Sequence, residues 1–211
     1  PADKLVFTGN PVRQNLLDET LSKDDAIRAL GLVPGKRTVL VVGGSLGART
    51  LNESMLGNLP LLRQQRSVQF VWQTGKYYSE EIAAELERRG KPANLVVTDF
   101  IADMRQAYAA ADLVISRAGA GSISEFCLLG KPVILVPSPN VAEDHQTKNA
   151  LALVQKEAAL YVSDADARRA LLPLAINTVT DHDKLETLAH NVKLLAKPHA
   201  AADIADRVIA L

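Results

Sequence analysis

The stretch Val39-Leu40-Val41-Val42-Gly43-Gly44-Ser45-Leu46-Gly47-Ala48 runs four aliphatic residues into a turn holding three glycines, and a helical pattern follows from Ala48. A continuous apolar run of this length reads as a buried strand of a parallel sheet. A glycine-rich turn between such a strand and a helix puts backbone N–H groups where they can meet a phosphate. The arrangement recurs. Leu113-Val114-Ile115-Ser116 enters Arg117-Ala118-Gly119-Ala120-Gly121-Ser122, and the helical pattern Ile123 to Leu129 follows. Two such loops on one chain predict a ligand carrying two linked phosphates.

Strand-length apolar runs alternate with helical patterns along the rest of the chain, which predicts an α/β fold: a doubly wound, Rossmann-like parallel sheet with helices on both faces. The predicted strands are Thr38–Val42, Val68–Gln73, Leu95–Thr98, Leu113–Ser116, Val133–Val136 and Leu160–Val162. The predicted helices are Ala48–Gly57, Tyr78–Arg89, Met104–Ala111, Ser122–Leu129, His145–Lys156, Asp166–Thr178, Asp183–Ala196 and Ala201–Leu211. Gly90-Lys91-Pro92 and Gly130-Lys131-Pro132 each close a helix with glycine and introduce the next strand behind proline. No composition shift or linker follows residue 35, so residues 1–211 read as one domain. In open sheets of this kind the ligand sits beyond the carboxyl ends of the strands, where both glycine loops lie.

A chain of 211 residues can bury roughly 70–75% of its unfolded surface without disulfides or a structural metal. Lys plus Arg (24) equal Asp plus Glu (24), so the chain lacks the basic field of a nucleic-acid-binding domain. Cys127, the only cysteine, falls in an apolar helical stretch and reads as a core thiol. No run of 18 apolar residues and no signal-peptide pattern occur, which predicts a soluble, cytosolic chain. The start Pro1-Ala2-Asp3 lacks an initiator methionine and suggests a piece of something longer.

Within the second loop, Gly119, Ala120, Gly121 and Ser122 are small enough for a ligand oxygen to touch backbone. Ser122 could donate its hydroxyl or cap the helix. Glu125, about a turn further on, could accept from both hydroxyls of a ribose or simply favour the positive helix end. Phe100-Ile101-Ala102-Asp103-Met104, at the end of the third strand, suits a flat base as well as core packing. Glu143-Asp144-His145-Gln146-Thr147-Lys148-Asn149 crowds polar side chains onto one loop and first helical turn, as sugar recognition would need; an Asp144/His145 metal pair lacks a third ligand. Arg13, in the turn Thr8-Gly9-Asn10-Pro11-Val12-Arg13, acquires meaning only beside phosphate loops, because a guanidinium fits a pair of phosphate oxygens.

Taken together and in order, Gly9-Asn10-Pro11-Val12-Arg13, Gly43-Gly44-Ser45-Leu46-Gly47-Ala48, Phe100-Ile101, Ser116-Arg117-Ala118-Gly119-Ala120 with Ser122 and Glu125, and Asp144-His145-Gln146-Thr147-Lys148-Asn149-Ala150 resemble the MurG family, the N-acetylglucosaminyl transferases that complete lipid II for peptidoglycan. The match spans nearly the whole chain but only the C-terminal, donor-nucleotide half of that two-domain GT-B enzyme. The resemblance implies that UDP-N-acetylglucosamine binds here. It implies Arg13 and Ser45 near the diphosphate, Ile101 at uracil, Ala120, Gly121 and Ser122 beside phosphate, Glu125 on the ribose diol, and His145 and Gln146 at the sugar. It implies no cofactor and no metal. Leu46 stands where the family often has Gln, and Ser122 replaces a usual Thr.

In the family, the residue that activates the acceptor and the membrane-facing surface belong to the N-terminal domain. No catalytic residue is therefore expected in this chain, which should bind donor without turnover. The lipid-linked acceptor and the membrane are reached through that other domain, on the cytoplasmic side of the bacterial inner membrane. The last helix, within residues 200–211, is expected to pack across to it. Three rivals stay open at this point. Gly43-Gly44-Ser45-Leu46-Gly47 also fits the G-x-S-x-G elbow of α/β-hydrolases, with Ser45 as nucleophile. A sugar-nucleotide-binding module without transfer, or another GT-B enzyme acting on lipids, would carry similar loops. A nicotinamide site would want G-x-G-x-x-G and an acid ending the second strand, where this chain has Gln73-Thr74-Gly75.

Overall fold

The computed structural model describes residues 5–17, 20–140 and 144–210. Six parallel strands form one sheet in the order β3-β2-β1-β4-β5-β6: β1 Arg37–Val42, β2 Val68–Gln73, β3 Leu95–Thr98, β4 Leu113–Ser116, β5 Val133–Leu135 and β6 Leu160–Tyr161. The strand order reverses between β1 and β4, whose register pairs Val42 with Ser116. Both glycine loops therefore leave the same edge of the sheet side by side, at the switch point where doubly wound folds bind ligands.

Alternation along the strands feeds two cores, one on each face. Val39, Val41, Phe70, Trp72, Leu113 and Ile115 face a layer built from α2 Arg49–Gly57, α3 Leu59–Gln64, α4 Ser79–Arg89 and α8 Ala167–Thr180. Leu40, Val42, Val71, Val114, Val133 and Leu135 face α1 Lys23–Ala29, α5 Met104–Ala110, α6 Ala120–Leu129 and α7 His145–Val154. With both faces covered, β1, β2, β4 and β5 are almost wholly buried, which is why they read as unbroken apolar runs. Cys127 is buried in the second core, and burial pushes its thiol up to about 11.

The helices α9 His182–Lys193 and α10 Ala200–Ile209 complete the chain. Of α10 only Ala200 is buried, while Val208 and Ile209 are exposed. Two helices escaped the sequence reading. α1 is only seven residues long, but Ser22 caps it by accepting from Asp25 N–H at 3.1 Å. α3 breaks from α2 at Asn58, with Pro60 in its first turn. The helix expected at Ser122 begins instead at Ala120, with Gly119 as its N-cap. α7 ends at Val154 rather than Lys156, and α9 at Lys193 rather than Ala196. Gly130 ends α6 in the left-handed conformation at φ 63°, as its placement before Pro132 predicted.

At the opposite edge of the sheet, Asp112 sits before β4 with its side chain only 6% exposed. It accepts from Lys23 Nζ at 2.5 Å, Arg37 Nη1 at 2.9 Å and Thr38 N–H at 2.8 Å, tying α1, β1 and β4 together. Burial pushes its carboxyl up, but the bond from Lys23, the Thr38 amide, the Lys23 charge and Arg37 together hold it below the ordinary value. The unfolded chain thus takes up the proton first as pH falls. The stabilisation is complete above the usual carboxylate pKa of about 3.9 and disappears as pH drops through the lower folded value. Asp112→Asn should cost about 1–3 kcal/mol at pH 7, with a shallower loss of stability on acidification than wild type; denaturant titrations between pH 7 and 3 measure both.

Candidate functional site

The first loop is held by contact between backbones. Gly47 (φ +82°) and Gly75 (φ +82°) pack directly on each other: a Cβ on Gly47 would lie 2.1 Å from the Thr74 carbonyl oxygen, and one on Gly75 would lie 2.2 Å from Gly47 N. Only glycine fits at either place. Gln73, buried at the end of β2, accepts from Gly43 N–H at 3.2 Å and donates to the carbonyls of Gly44 at 2.9 Å and Asp99 at 3.0 Å. Where a nicotinamide fold would set an acid, an amide is spent on the loop itself.

The second loop is braced from α7. Gln146 Oε1 accepts from the N–H groups of Ala118 at 3.2 Å and Ser138 at 2.9 Å, and Asn149 Nδ2 donates to Ala118 O at 3.2 Å. Arg117 Nη1 donates to the carbonyls of Val136 and Pro137 and to Asp164, whose other oxygen accepts from Thr50 on α2. Neither α2 nor α6 has a side-chain cap on its first amides: Ala48 and Gly119 are the N-caps. Ser122 is the third residue of α6, so the capping role read from sequence falls to Gly119, and the hydroxyl is left to the cleft. The leading N–H groups of a helix have no intrahelical acceptor and carry its positive end.

A cleft of about 260 Å³ opens between these loops, and Arg13, Ser45, Ile101, Ser122 and Glu125 all line it. Asn10 Nδ2 donates to Ser124 Oγ at 3.1 Å and so fastens the N-terminal turn to α6. That brings Arg13 Nη2 to 3.7 Å from Glu125 Oε1. Arg13 is largely exposed, so the pairing is worth little in water and leaves the guanidinium able to turn to an anion. Tyr108 donates its hydroxyl to Glu125 Oε2 at 2.7 Å. Burial first, then that carboxylate, push the phenol well above its ordinary range. Thr98 Oγ1 donates to the Phe100 carbonyl at 2.8 Å, which presents Ile101 as the next residue of the cleft wall.

A second, more polar cleft of about 780 Å³ lies across the first loop; Ser45 lines both, and Gln146 lines only this one. Leu46, 76% exposed, stands on its rim. His145 is exposed at the first position of α7 and lines neither cleft. Ala120 and Gly121 form the exposed first turn of α6. Asp144 accepts from Thr147 Oγ1 at 2.6 Å, and Glu143 falls outside the described residues. Among the described residues no group of three His, Cys, Asp or Glu side chains could hold a metal ion. The hydrolase elbow fits poorly, because it needs a strained nucleophile at a sharp turn into a helix. Ser45 has no positive φ, and α2 starts four residues later. Gln73, Tyr108, Arg117 and Asp164 were missed in the sequence; the one available signal was a polar residue closing an apolar strand.

The sequence model of the glycosyltransferase family 28 C-terminal domain matches residues 38–208. The UDP-N-acetylglucosamine--N-acetylmuramyl-(pentapeptide) pyrophosphoryl-undecaprenol N-acetylglucosamine transferases of Bacteroides fragilis and Bacteroides thetaiotaomicron are 60% and 58% identical over the whole chain, which covers 56% and 57% of their lengths. The chain thus spans little more than half of these relatives. The crystal structure of Acinetobacter baumannii MurG superposes with a TM-score of 0.74 at 30% identity, over 95% of this chain and 56% of that one.

Substitutions at the glycines separate packing from conformation. Gly75→Ala should destabilise by at least about 2 kcal/mol, combining left-handed strain with backbone overlap. Gly44→Ala, which has a positive φ but open space around it, should cost only about 1–2 kcal/mol. Thermal melts should show the larger drop for Gly75→Ala, and equal drops would contradict the backbone contact.

Proposed function

The chain belongs to the glycosyltransferase family 28 C-terminal domain family, and from that premise we propose that it is the donor-nucleotide half of an inverting transferase. The full protein would move N-acetylglucosamine from UDP-N-acetylglucosamine to the C4 hydroxyl of a lipid-linked MurNAc-pentapeptide. The observation that carries this reading is the single cleft in which Arg13, Ser45, Ile101, and Ser122 with Glu125 on α6, converge from four separate segments. Ile101 would meet the uracil, Glu125 the ribose hydroxyls, and Arg13, Ser45, Ala120, Gly121 and Ser122 the diphosphate. The sugar would extend into the second cleft, toward Gln146 and His145.

Such a site contributes to catalysis by differential binding. As the glycosidic bond breaks, negative charge grows on the departing diphosphate. Fixed loop amides, the α6 N-terminus and Arg13 stabilise that charge more strongly than they stabilise the bound donor. Deprotonation of the acceptor hydroxyl is assigned to the half of the protein outside this chain, along with the lipid-linked acceptor and peripheral attachment to the cytoplasmic face of the inner membrane. Among the described residues no helix is long and apolar enough to cross a membrane.

Calorimetric titration with UDP and UDP-N-acetylglucosamine should show saturable binding, and absence of heat from folded protein at millimolar nucleotide would overturn the reading. Glu125→Ala should weaken UDP by about 1–3 kcal/mol if both ribose hydroxyls are bound. Competition between UDP-N-acetylglucosamine and UDP-glucose tests the sugar, and equal affinities would favour a different lipid glycosyltransferase.

A further inference from the structure

Gln73 is 4% exposed and has no part in the donor contacts proposed above, yet it lines the 260 Å³ cleft and its amide bonds the backbone of two different loops beside it. Its oxygen takes the Gly43 N–H, and its nitrogen gives one hydrogen to Gly44 O and the other to Asp99 O. Gly43 and Gly44 open the loop that would face the diphosphate, and Asp99 directly precedes Phe100 and Ile101, which would face the base. All three bonds are to backbone atoms, so they fix where those two loops stand and not which side chains they carry. The chemistry needs an amide. A carboxylate would keep the acceptor for Gly43 but turn an anion toward two carbonyl oxygens, and an apolar side chain would take the acceptor from the Gly43 N–H and leave the Gly44 and Asp99 carbonyls only the N–H groups of Gly47 and Gly75, which do not join the two loops directly.

We propose that Gln73 is a positioning residue that locks the phosphate-side loop to the base-side loop, so that the spacing between uracil and diphosphate is set before the nucleotide arrives. The inference rests on the donor-nucleotide reading, and two measurements keep their failures apart. Hydrogen exchange on the ligand-free chain needs no nucleotide. In Gln73→Met, amides of residues 43–47 and of residues 99–102 should exchange at least tenfold faster together, while β1 and β4 stay protected. Titration then compares uridine with UDP for wild type, Gln73→Met and Gln73→Glu. UDP affinity should fall at least tenfold in both variants, and uridine affinity less than threefold, because only the nucleotide that spans both loops reads their spacing.

Unchanged exchange in either loop overturns the proposal, as does equal loss of uridine and UDP. Faster exchange throughout the sheet would mark Gln73 as a general structural residue and overturn it too. If wild type binds neither nucleotide while the two loops loosen together, the lock stands and the donor reading falls.

Discussion

No side chain fits between Gly47 and Gly75, and the architecture of the site depends on that fact. β1 and β2 are neighbours in register along their whole length, so the turns leaving them must pass within backbone distance of each other. Both residues adopt a positive φ there, which glycine does at no steric cost. The first loop is consequently pressed onto the loop after β2 and cannot drift toward solvent. Asn52 reinforces the same junction from α2, donating to the Thr74 carbonyl while accepting from the indole N–H of Trp72. A turn held this way can aim amides at a ligand without reorganising when the ligand binds.

The fold was legible because burial on both faces leaves a strong trace: every strand of the sheet was found at or near its observed bounds, and the glycines marked where they end. Short helices left a weaker one. α1 announces itself only by Ser22 and two acids in its first turn, and α3 is six residues long with a proline in its first turn. For the site, Ser45, Ser122 and Glu125, named on the family resemblance, line one cleft, and Arg13 reaches Glu125 across more than a hundred positions with the N-terminal turn fastened through Asn10. What stayed hidden were side chains that act on backbone. Gln73 and Arg117 bind backbone groups, which every residue has, so no complementary residue in the sequence points to them. Gln146 and Asn149 fall in the stretch read for sugar recognition, and what the structure shows is Gln146 accepting from the amides of Ala118 and Ser138 and Asn149 donating to the Ala118 carbonyl.

This division of labour has a physical logic. Long polar side chains are costly to order, and here they are ordered once, at folding, against the frame. Apart from Arg13 and the apolar wall of Phe100, Ile101 and Met104, the surfaces left facing the cleft are loop backbone, the short side chains of Ser45, Ser116 and Ser122, and the Glu125 carboxylate held by Tyr108. Little side-chain entropy then remains to be lost when a ligand binds, which is the condition for fixed dipoles to stabilise developing charge.

The strand order carries one more consequence. β1 meets β2 through the next crossover, which carries α2 and α3, but its other edge waits for β4, and the bond from Thr38 N–H to Asp112 closes a gap of 74 positions. Pairings so distant along the chain are slow to form and come at a larger loop entropy. The cleft straddles that late seam, with Val42 on one bank and Ser116 on the other. A ligand seated there adds its binding free energy only to molecules in which the seam has shut. Such a ligand would hold the two halves of the sheet together and leave a half-paired chain unaided.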